Sequence, residues 1–361
     1  MPKNSAADVI ESLVTPEVRA LSAYHVPGSD GLLKMDAMES PYELSADVRG
    51  EWQHFLKSVS FNRYPDPDSK ALKRKIRSTY RVPSGIEMIL GNGSDELIQM
   101  IAMLVGSTHR PIIAPSPSFS MYRQISKMLG CGYVPVPLNK DYSLDSSSML
   151  ECIERHDPAC IFIAYPNNPT GNCFDESAIE QILHTANGLV VLDEAYFAFC
   201  RKSWMSSIQS WENLIVLRTL SKSGLAGLRL GMLFAHPKWA GELEKIRLPY
   251  NINVLTQCSA EFMLDHFDLL ESQAEQIMEE RGKMFAQLSK IPGLKVYPSE
   301  ANFLLIQVEQ ASDLHQALIG EGILVKNLDG ADSGLQSCLR LTVGAPDENR
   351  ALVTAIKQIN S

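Results

Sequence analysis

The sequence lacks the features of membrane, secreted and nucleic-acid-binding proteins. Among its 361 residues, no apolar run approaches the roughly 18 residues of a transmembrane helix. The stretch from Met1 to Leu13 has no apolar segment behind a basic one, so no secretory signal is expected. Acidic residues outnumber basic residues by 42 to 33, and the net charge of −9 disfavours nucleic acid and anionic membranes as partners. Small anionic ligands are compatible with this charge, because local arginines can hold them.

Disulfide and metal-binding patterns are also missing. There is no Cys-x-x-Cys pair and no His/Cys cluster of zinc spacing, since the seven cysteines are scattered at positions 131, 152, 160, 173, 200, 258 and 338. Their number is odd and several lie in apolar runs, which favours free thiols in a reducing cytoplasm. We therefore expect a cytoplasmic protein without a metal site.

A chain of 361 residues is too long for one small core, so we expect two domains. Helix-like segments alternate with apolar runs that are typical of strands, at 111–114, 160–164, 189–193, 214–217 and 231–235. These runs are apolar throughout, as expected when both faces of a sheet are buried. The alternation predicts an α/β fold with a mostly parallel sheet that helices cover on both faces.

The last part of the chain has a different pattern. A helical stretch at 253–290, broken near His266, precedes shorter strands and helices. This order predicts a separate, smaller α+β domain, and we expect the first 40 residues to pack with it. The predicted large domain spans 41–250, and the small domain combines 1–40 with 251–361.

Ligands of open α/β sheets bind beyond the carboxyl ends of the strands, and a lysine follows one such end. Lys222 comes after the apolar run 214–217, where a desolvated ammonium is costly. Desolvation lowers the pKa of the amine and makes it a nucleophile toward carbonyls. Ser221 and Arg229 can hold an anionic group beside it. An aldehyde cofactor that carries a phosphate, pyridoxal phosphate (PLP), fits this set; an ordinary surface turn is the alternative.

The segment 91–97 predicts the start of a helix. A Gly-Asn-Gly turn leads into Ser94 as the N-cap, and Asp95 lies in the first turn. Free backbone N–H groups at this start would suit a phosphate, although an ordinary capped helix has the same pattern.

Two further strand ends carry polar side chains. Asp193 closes an apolar run, where a carboxylate needs a partner such as a protonated pyridine nitrogen. Tyr196 follows it and could reach the phenolic oxygen of the same ring. Asn168, in a turn stiffened by prolines and a glycine, could donate to that oxygen. A rigid turn without a ligand and a carboxylate that caps the next element are the alternatives.

Three residues complete the candidate site. Phe119 follows a strand, and its ring is suited to stack on a planar cofactor or to pack in the core. Tyr64 lies in a proline-stiffened loop that reads equally as a surface turn. Arg340 lies within an apolar strand, where it needs a substrate carboxylate or phosphate, or an internal salt bridge.

These motifs, in this order, resemble those of the fold-type-I PLP-dependent aminotransferases. Within them the chain most resembles the histidinol-phosphate aminotransferases, over about 24–345. The general likeness rests on the segments Asn167–Gly171, Asp193–Tyr196 and Ser221–Gly231. The finer likeness rests on the segments Tyr64–Asp66, Asn92–Glu96, Arg247–Asn251 and Leu339–Gly344.

The resemblance implies a role for each matched residue. The fold would have a large domain with a seven-stranded type of sheet. Lys222 would bond covalently to PLP, and Asp193 would pair with the ring nitrogen. The other cofactor contacts would be Asn168 and Tyr196 at the phenolic oxygen, Phe119 on the ring, and Ser221, Arg229 and the N–H groups of Ser94 and Asp95 at the phosphate.

The resemblance also implies a homodimer and a substrate site. Tyr64 would reach the phosphate bound in the neighbouring subunit. Arg340, with Tyr24 nearby, would bind the substrate anion. The family commonly has a second arginine upstream of Arg340, and the nearest match here is Lys326. Met38 stands in Met-Glu-Ser-Pro, where the family often has Asn-Glu-Asn-Pro.

The implied reaction transfers an amino group from histidinol phosphate to 2-oxoglutarate, giving imidazole acetol phosphate and glutamate in histidine biosynthesis. Ping-pong kinetics would follow. An aromatic amino acid aminotransferase, a PLP-dependent threonine-phosphate decarboxylase and a PLP-binding regulatory module are the alternatives. The Asn168–Pro169 bond would be cis, as the resemblance suggests, although no residue requires it.

Overall fold

A large and a small sheet organise residues 5–23, 27–106 and 109–360, which the computed structural model describes. The strands are β1 (Leu33–Met35), β2 (Glu87–Asn92), β3 (Ile112–Ser116), β4 (Tyr133–Pro137), β5 (Cys160–Ala164), β6 (Leu189–Asp193), β7 (Leu214–Thr219), β8 (Leu230–Ala235), β9 (Lys295–Val296), β10 (Phe303–Gln307), β11 (Ile323–Asn327) and β12 (Cys338–Thr342).

The helices precede, connect and follow these strands. They are α1 (Ala6–Leu13), α2 (Pro16–Arg19), α3 (Ala46–Phe55), α4 (Lys70–Thr79), α5 (Ser94–Val105), α6 (Ser120–Met128), α7 (Ser146–His156), α8 (Glu176–Thr185), α9 (Phe197–Cys200), α10 (Pro237–Glu244), α11 (Val254–Asp265), α12 (Phe267–Leu288), α13 (Ala311–Gly320) and α14 (Pro346–Ile359). Within the described ranges, no helix has both the length and the apolar character needed to cross a membrane.

The large sheet has the strand order β2-β8-β7-β6-β5-β3-β4. Strands β3 to β7 are parallel, and β8 is antiparallel to both of its neighbours. Every residue of β5 to β8 is buried, which explains their uninterrupted apolar sequences. Along β5, Ile161 and Ile163 pack in one apolar cluster while Phe162 and Ala164 pack in another, on the opposite face. The predicted α/β fold is confirmed.

The small sheet has the order β1-β11-β12-β10-β9. Its first strand comes from the N-terminal part of the chain and pairs in parallel with β11. The long helix α12 covers the sheet with Ile277, Met284 and Leu288, which join its apolar cluster. The predicted helical stretch does break at His266, between α11 and α12.

The division of the chain at residue 250 stays a prediction. Helix α11 lies beyond that position, and its residues Ala260 and Met263 pack in an apolar cluster of the large sheet. Helix α12 begins with that cluster at Leu270 and continues into the cluster of the small sheet at Ala274. The helix α12 therefore connects the two apolar clusters.

The strand directions bring one set of loops to one edge of the large sheet. The register pairs Ala164 with Asp193, and Asp193 with Leu217, so β5, β6 and β7 end side by side. Because β8 runs the other way, its first residue Leu230 lies at the same edge, opposite Asn92 at the end of β2. The segments that carry the candidate residues therefore converge.

A buried ion pair fixes two of these strand ends. Glu194 follows β6, and its carboxylate lies 2.9 Å from a guanidinium nitrogen of Arg218 in β7, with side chains 0% and 4% exposed. The Ser203 hydroxyl and the Trp204 N–H also donate to Glu194. The guanidinium lies 3.8 Å from the ring centroid of Phe197. Such satisfied charges are costly to break singly.

Replacing Arg218 by methionine should therefore destabilise the protein strongly. The Glu194 carboxylate would stay buried without its cation, and we expect the free energy of unfolding to fall by about 3–5 kcal/mol. Arg201→Met is the matched control, because Arg201 pairs with Glu275 through side chains that are 53% and 58% exposed. Surface pairs contribute about 0–1 kcal/mol. Urea unfolding measures both losses, and equal losses would contradict the importance of burial.

Candidate active site

One pocket at the converging strand ends gathers the predicted cofactor residues. All of them except Tyr64 line it, namely Ser94, Asp95, Phe119, Asn168, Asp193, Tyr196, Ser221, Lys222 and Arg229. They come from the ends of β2, β3, β5, β6 and β7 and from the segment before β8. Residues far apart in the sequence thus surround one space, as expected for the carboxyl edge of a parallel sheet.

Lys222 presents a half-buried amine to this pocket. Its Nζ donates to the carbonyl oxygen of Ala37 at 3.2 Å. Burial, and next the positive charge of Arg340, lower the pKa of the Lys222 amine to about 8. A neutral amine is therefore accessible close to neutral pH, as a nucleophile or a base requires.

Asp193 lies across the pocket and is only 4% exposed. Its carboxylate accepts hydrogen bonds from the Tyr122 hydroxyl at 2.8 Å and from the Ala195 N–H at 3.1 Å. Burial raises the pKa of Asp193 to about 6, although these two hydrogen bonds oppose the shift. No ion pair to this carboxylate is found within the described residues. A protonated ring nitrogen would supply the missing cation, so Asp193 fits the pyridine of PLP.

Asn168 and Tyr196 meet beside Asp193. The Asn168 amide donates to the Tyr196 hydroxyl at 3.1 Å, and this hydroxyl donates to the sulfur of Met38 at 3.1 Å. Burial raises the pKa of the Tyr196 phenol, which therefore keeps its proton. The two polar groups are suited to bind a phenolic oxygen. The Asn168–Pro169 bond is cis, as the resemblance suggested.

An anion cradle lies at the start of α5. Here the predicted N-cap was wrong: Gly93 is the cap, and Ser94 is the first helical residue. Gly93 has a φ of 81°, and a Cβ there would lie 2.7 Å from a guanidinium nitrogen of Arg229. Only glycine fits both the backbone and this close approach. The helix N-terminus has no side-chain cap, so its N–H groups can face an anion.

Arg229 closes the cradle from the other side. One guanidinium nitrogen lies 3.5 Å from the Ser221 hydroxyl, and another lies 3.8 Å from the Asp95 carboxylate. Gly231 permits this arrangement, because a Cβ there would lie 2.7 Å from the backbone nitrogen of Ser94. A guanidinium, a hydroxyl and a helix N-terminus around one space fit the phosphate of PLP.

A second cavity, of about 550 Å³, adjoins the first and shares Phe119, Asn168 and Met38 with it. Arg340 and Lys326 line this cavity from neighbouring strands, where they are register partners. The Arg340 guanidinium donates to the Asn168 side-chain oxygen at 2.6 Å and to the Asp36 carbonyl oxygen at 2.9 Å. Two cations therefore lie next to the pocket of Lys222.

The relation to known proteins agrees with this geometry. Residues 31–356 match the family model described as aminotransferase class I and II. This chain belongs to the class I and II aminotransferases. The predicted family is confirmed.

Full-length relatives of this aminotransferase carry a more specific name. The chain is 48% identical over 352 residues to histidinol-phosphate aminotransferase 2 of Nitrosococcus oceani, an alignment that covers 97% of this chain and 98% of the relative. It is 45% identical over 356 residues to histidinol-phosphate aminotransferase 1 of Ralstonia nicotianae, covering 97% and 95% of the two chains.

A solved structure shows the same fold. The histidinol-phosphate aminotransferase of Sinorhizobium meliloti, in complex with pyridoxal-5'-phosphate, superposes with a TM-score of 0.85 at 22% identity. The superposition covers 97% of this chain and 98% of that one. The predicted fold type is therefore confirmed.

One predicted residue within the described part of the chain does not line these cavities. Tyr64 is 79% exposed and stacks on Tyr250, with ring centroids 4.4 Å apart. Its predicted role concerns a neighbouring subunit, so that role stays a prediction. Tyr24 lies outside the described residues.

Three residues of the aminotransferase site were missed in the sequence. Tyr122 was accessible to prediction, because it lies one helical turn after Phe119 in α6 and therefore near the same strand end. Thr219 ends β7, and its hydroxyl lies 2.9 Å from that of Ser221. Met38 has a left-handed φ of 56°, held by bonds from Asn302 and to Thr342. The sequence around Met38 did not indicate this conformation.

The cofactor-free protein should lose stability as Asp193 ionises. Because the folded pKa is raised, the folded state binds the proton more tightly than the unfolded state, and stability falls as pH rises from about 4 to about 7. The shift from 3.8 to about 6 corresponds to about 3 kcal/mol. Asp193→Asn should remove this part of the pH dependence.

The difference in unfolding free energy between the two proteins, followed by urea denaturation across this pH range, measures the effect. Asp141→Asn is the control, because hydrogen bonds to Ser143 lower rather than raise the pKa of this surface carboxylate. Parallel stability curves for wild type and Asp193→Asn would contradict the assignment.

Proposed function

We propose that this aminotransferase uses PLP to transfer the amino group of histidinol phosphate to 2-oxoglutarate, giving imidazole acetol phosphate and glutamate in histidine biosynthesis. One observation carries the proposal. The pocket of Lys222 and Asp193 adjoins a cavity with two cations, Arg340 and Lys326, and the two spaces share Asn168 and Phe119. The names of the full-length relatives support the same substrate.

Each part of PLP has a matching group in the pocket. Lys222 would hold the aldehyde carbon, Asp193 the ring nitrogen, and Asn168 with Tyr196 the phenolic oxygen. The phosphate would lie in the cradle of Ser221, Arg229 and the α5 N-terminus, and Phe119 would stack on the ring. When bound, PLP supplies an electron-poor ring that stabilises negative charge at the substrate's amine-bearing carbon.

Lys222 acts as the base in this proposal. Once the substrate amine has displaced Lys222 from the cofactor, the free Lys222 amine would remove a proton from the substrate's amine-bearing carbon. It would then deliver this proton to the cofactor. The lowered pKa, about 8, keeps a usable fraction of the amine neutral. Asp193 keeps the proton on the ring nitrogen, because its buried carboxylate is stabilised by a cationic partner.

The anion site must serve both half-reactions. Histidinol phosphate brings a phosphate, and 2-oxoglutarate brings a carboxylate to the same place. Arg340 is fixed in orientation by its bonds to Asn168 and to the Asp36 carbonyl oxygen, and its planar guanidinium suits either oxyanion. Lys326 adds a second positive charge, which favours a phosphate dianion over the single carboxylate of an aromatic amino acid.

A homodimer in the cytoplasm belongs to the same proposal. Tyr64 and Tyr250 form an exposed stacked pair, and Phe61 and Leu248 nearby in the sequence are 74% and 72% exposed. A second subunit would cover this apolar surface and bring its Tyr64 toward the phosphate cradle.

The first experiment is the visible absorbance of the purified protein, before and after addition of histidinol phosphate without an oxo acid. A yellow protein that bleaches supports the proposal. A yellow protein that responds only to phenylalanine would replace histidinol phosphate by an aromatic amino acid. Release of CO2 without any requirement for 2-oxoglutarate would indicate a decarboxylase instead.

PLP should bind to the cofactor-free protein faster as pH rises through about 8. Only the neutral Lys222 amine attacks the aldehyde, and its pKa is lowered from 10.5 to about 8. Stopped-flow absorbance gives the rate constant at each pH. Borohydride reduction followed by peptide mapping should place the cofactor on Lys222. The Lys222→Arg protein should retain no covalently attached cofactor after the same reduction. Attachment to another lysine would refute the assignment.

Arg340→Met should weaken the binding of both substrates. A charged hydrogen bond contributes up to about 3 kcal/mol, so KM should rise by roughly 100-fold for histidinol phosphate and for 2-oxoglutarate. Lys326→Met should affect mainly the phosphate substrate. Arg123→Met is the matched control, because the exposed Arg123 lines the same cavity away from the cofactor pocket. If Arg340→Met raised the KM of just one of the two substrates, a shared anion site would be contradicted.

A further inference from the structure

The segment that follows β1 has two consecutive carbonyl oxygens that accept hydrogen bonds from cationic side chains. The Asp36 carbonyl oxygen accepts from the Arg340 guanidinium at 2.9 Å. The Ala37 carbonyl oxygen accepts from the Lys222 amine at 3.2 Å. One short piece of backbone therefore contacts both the amine of the cofactor pocket and the guanidinium of the adjoining cavity.

Two side chains of the small domain hold the next residue, Met38. The Thr342 hydroxyl accepts from the Met38 N–H at 3.1 Å, and the Asn302 amide donates to the Met38 carbonyl oxygen at 2.9 Å. Both side chains are buried, since Thr342 is 4% exposed and Asn302 is 0% exposed. Neither of them lines the cofactor pocket or the cavity of Arg340. Any effect they have on the reaction must therefore pass through other residues.

Met38 needs this support because of its backbone conformation. Its φ of 56° lies in the left-handed region, which is uncommon for residues other than glycine. A strained conformation persists when the surrounding structure fixes it. Here hydrogen bonds fix both peptide groups that flank Met38, one at its N–H and one at its carbonyl oxygen. Without these bonds, we expect Met38 to relax to a negative φ and to rotate the adjoining peptide groups.

One of these peptide groups also contains the acceptor of the Lys222 amine. The Ala37 carbonyl and the Met38 N–H belong to the same planar peptide unit, which is trans and therefore points them in opposite directions. Holding the N–H toward Thr342 thus holds the carbonyl oxygen toward Lys222. Rotation of this unit would move the oxygen away from the amine.

Strand β12 matches this segment at two positions. Arg340 and Thr342 are two residues apart on β12, so their side chains project from the same face of the sheet. Their hydrogen bonds go to Asp36 and Met38, which are also two residues apart. The same strand therefore carries the guanidinium of the anion site and the hydroxyl that orients the peptide group facing Lys222.

We propose that Thr342 and Asn302 are positioning residues of this aminotransferase. They hold the turn at Met38 so that the Ala37 carbonyl oxygen accepts a hydrogen bond from the free Lys222 amine. The amine is free in the cofactor-free protein and again, if the proposed function holds, when it acts as the base. The hydrogen bond orients the amine and favours its protonated form.

The first test is the pH dependence of PLP binding to the cofactor-free Thr342→Val protein. Valine keeps the shape of threonine and removes the hydroxyl that accepts from Met38. When the Ala37 oxygen turns away, the Lys222 ammonium loses a charge-assisted hydrogen bond. The midpoint of the rate profile, measured by stopped-flow absorbance, should therefore fall by about one pH unit from the wild-type value of about 8. Four charged side chains that influence the Lys222 amine stay unchanged in this variant, namely Arg340, Arg229, Glu39 and Asp95.

The activity of the PLP-loaded enzyme gives a second measurement. A displacement of about 1 Å at a catalytic group can cost about 100-fold in rate, and we expect kcat of Thr342→Val to fall about tenfold. The KM of both substrates should change far less than kcat, because Arg340 keeps its hydrogen bond to Asn168.

Three further variants separate this role from a general loss of stability. Thr342→Ser keeps the hydroxyl and should restore the wild-type midpoint and kcat. Asn302→Leu removes the hydrogen bond on the other side of Met38 and should shift the midpoint in the same direction, which keeps the test valid if Thr342→Val does not fold. Ser259→Ala is the matched control, because it removes a buried hydroxyl that accepts from the Trp52 indole at 2.9 Å and lines neither cavity. Its midpoint should equal that of the wild type.

Two results would overturn the proposal. The first is an unchanged midpoint in Thr342→Val or Asn302→Leu protein that urea unfolding shows to be folded. The second is a shift of equal size in Ser259→Ala or Thr342→Ser, since lost stability would then explain it. PLP binding requires no substrate, so the outcome does not depend on whether histidinol phosphate is the amino donor.

Discussion

The reversed direction of β8 is the constraint on which the active site depends. Parallel strands place only their carboxyl ends at one edge, so a residue that precedes a strand normally lies at the opposite edge. Because β8 runs antiparallel to β7, a short connection leads from Lys222 at the end of one strand to Arg229 at the start of the next. The sheet itself therefore brings the Lys222 amine and the Arg229 guanidinium to one pocket.

Burial shifts the pKa values of the two titratable groups of the pocket, Lys222 and Asp193, in opposite directions. Desolvation disfavours the charged form of every group, which makes Lys222 a weaker acceptor of protons and Asp193 a stronger one. The two groups thus approach each other in pKa from opposite ends of the scale. In the buried pair beside them, Arg218 and Glu194 neutralise each other, and the Ser203 hydroxyl donates to the Glu194 carboxylate. Lys222 and Asp193 lie at the part of the sheet edge where a ligand would have to supply the partner groups.

The sequence predicted the fold and most of the pocket because the signals were local. Uninterrupted apolar runs ending in Asp193 or leading to Lys222 define both a strand and the edge at which it ends. The true cap of α5 was not accessible, since the choice of Gly93 depends on the close approach of Arg229, which directly precedes β8. The contact of Tyr122 with Asp193 depends on how α6 packs on the sheet. Pairings across strands, such as Lys326 with Arg340, require the register.

The bonds of Arg340 have a thermodynamic consequence. Its guanidinium joins the Asp36 carbonyl from the N-terminal part of the chain to Asn168 of the large sheet. An anion that binds Arg340 competes with the Asn168 oxygen, and the same amide donates to Tyr196 beside the cofactor pocket. The two sites are therefore linked, and by reciprocity any ligand that changes the state of Asn168 changes anion affinity by the same free energy. The anion affinity of the enzyme would therefore depend on what occupies its cofactor pocket.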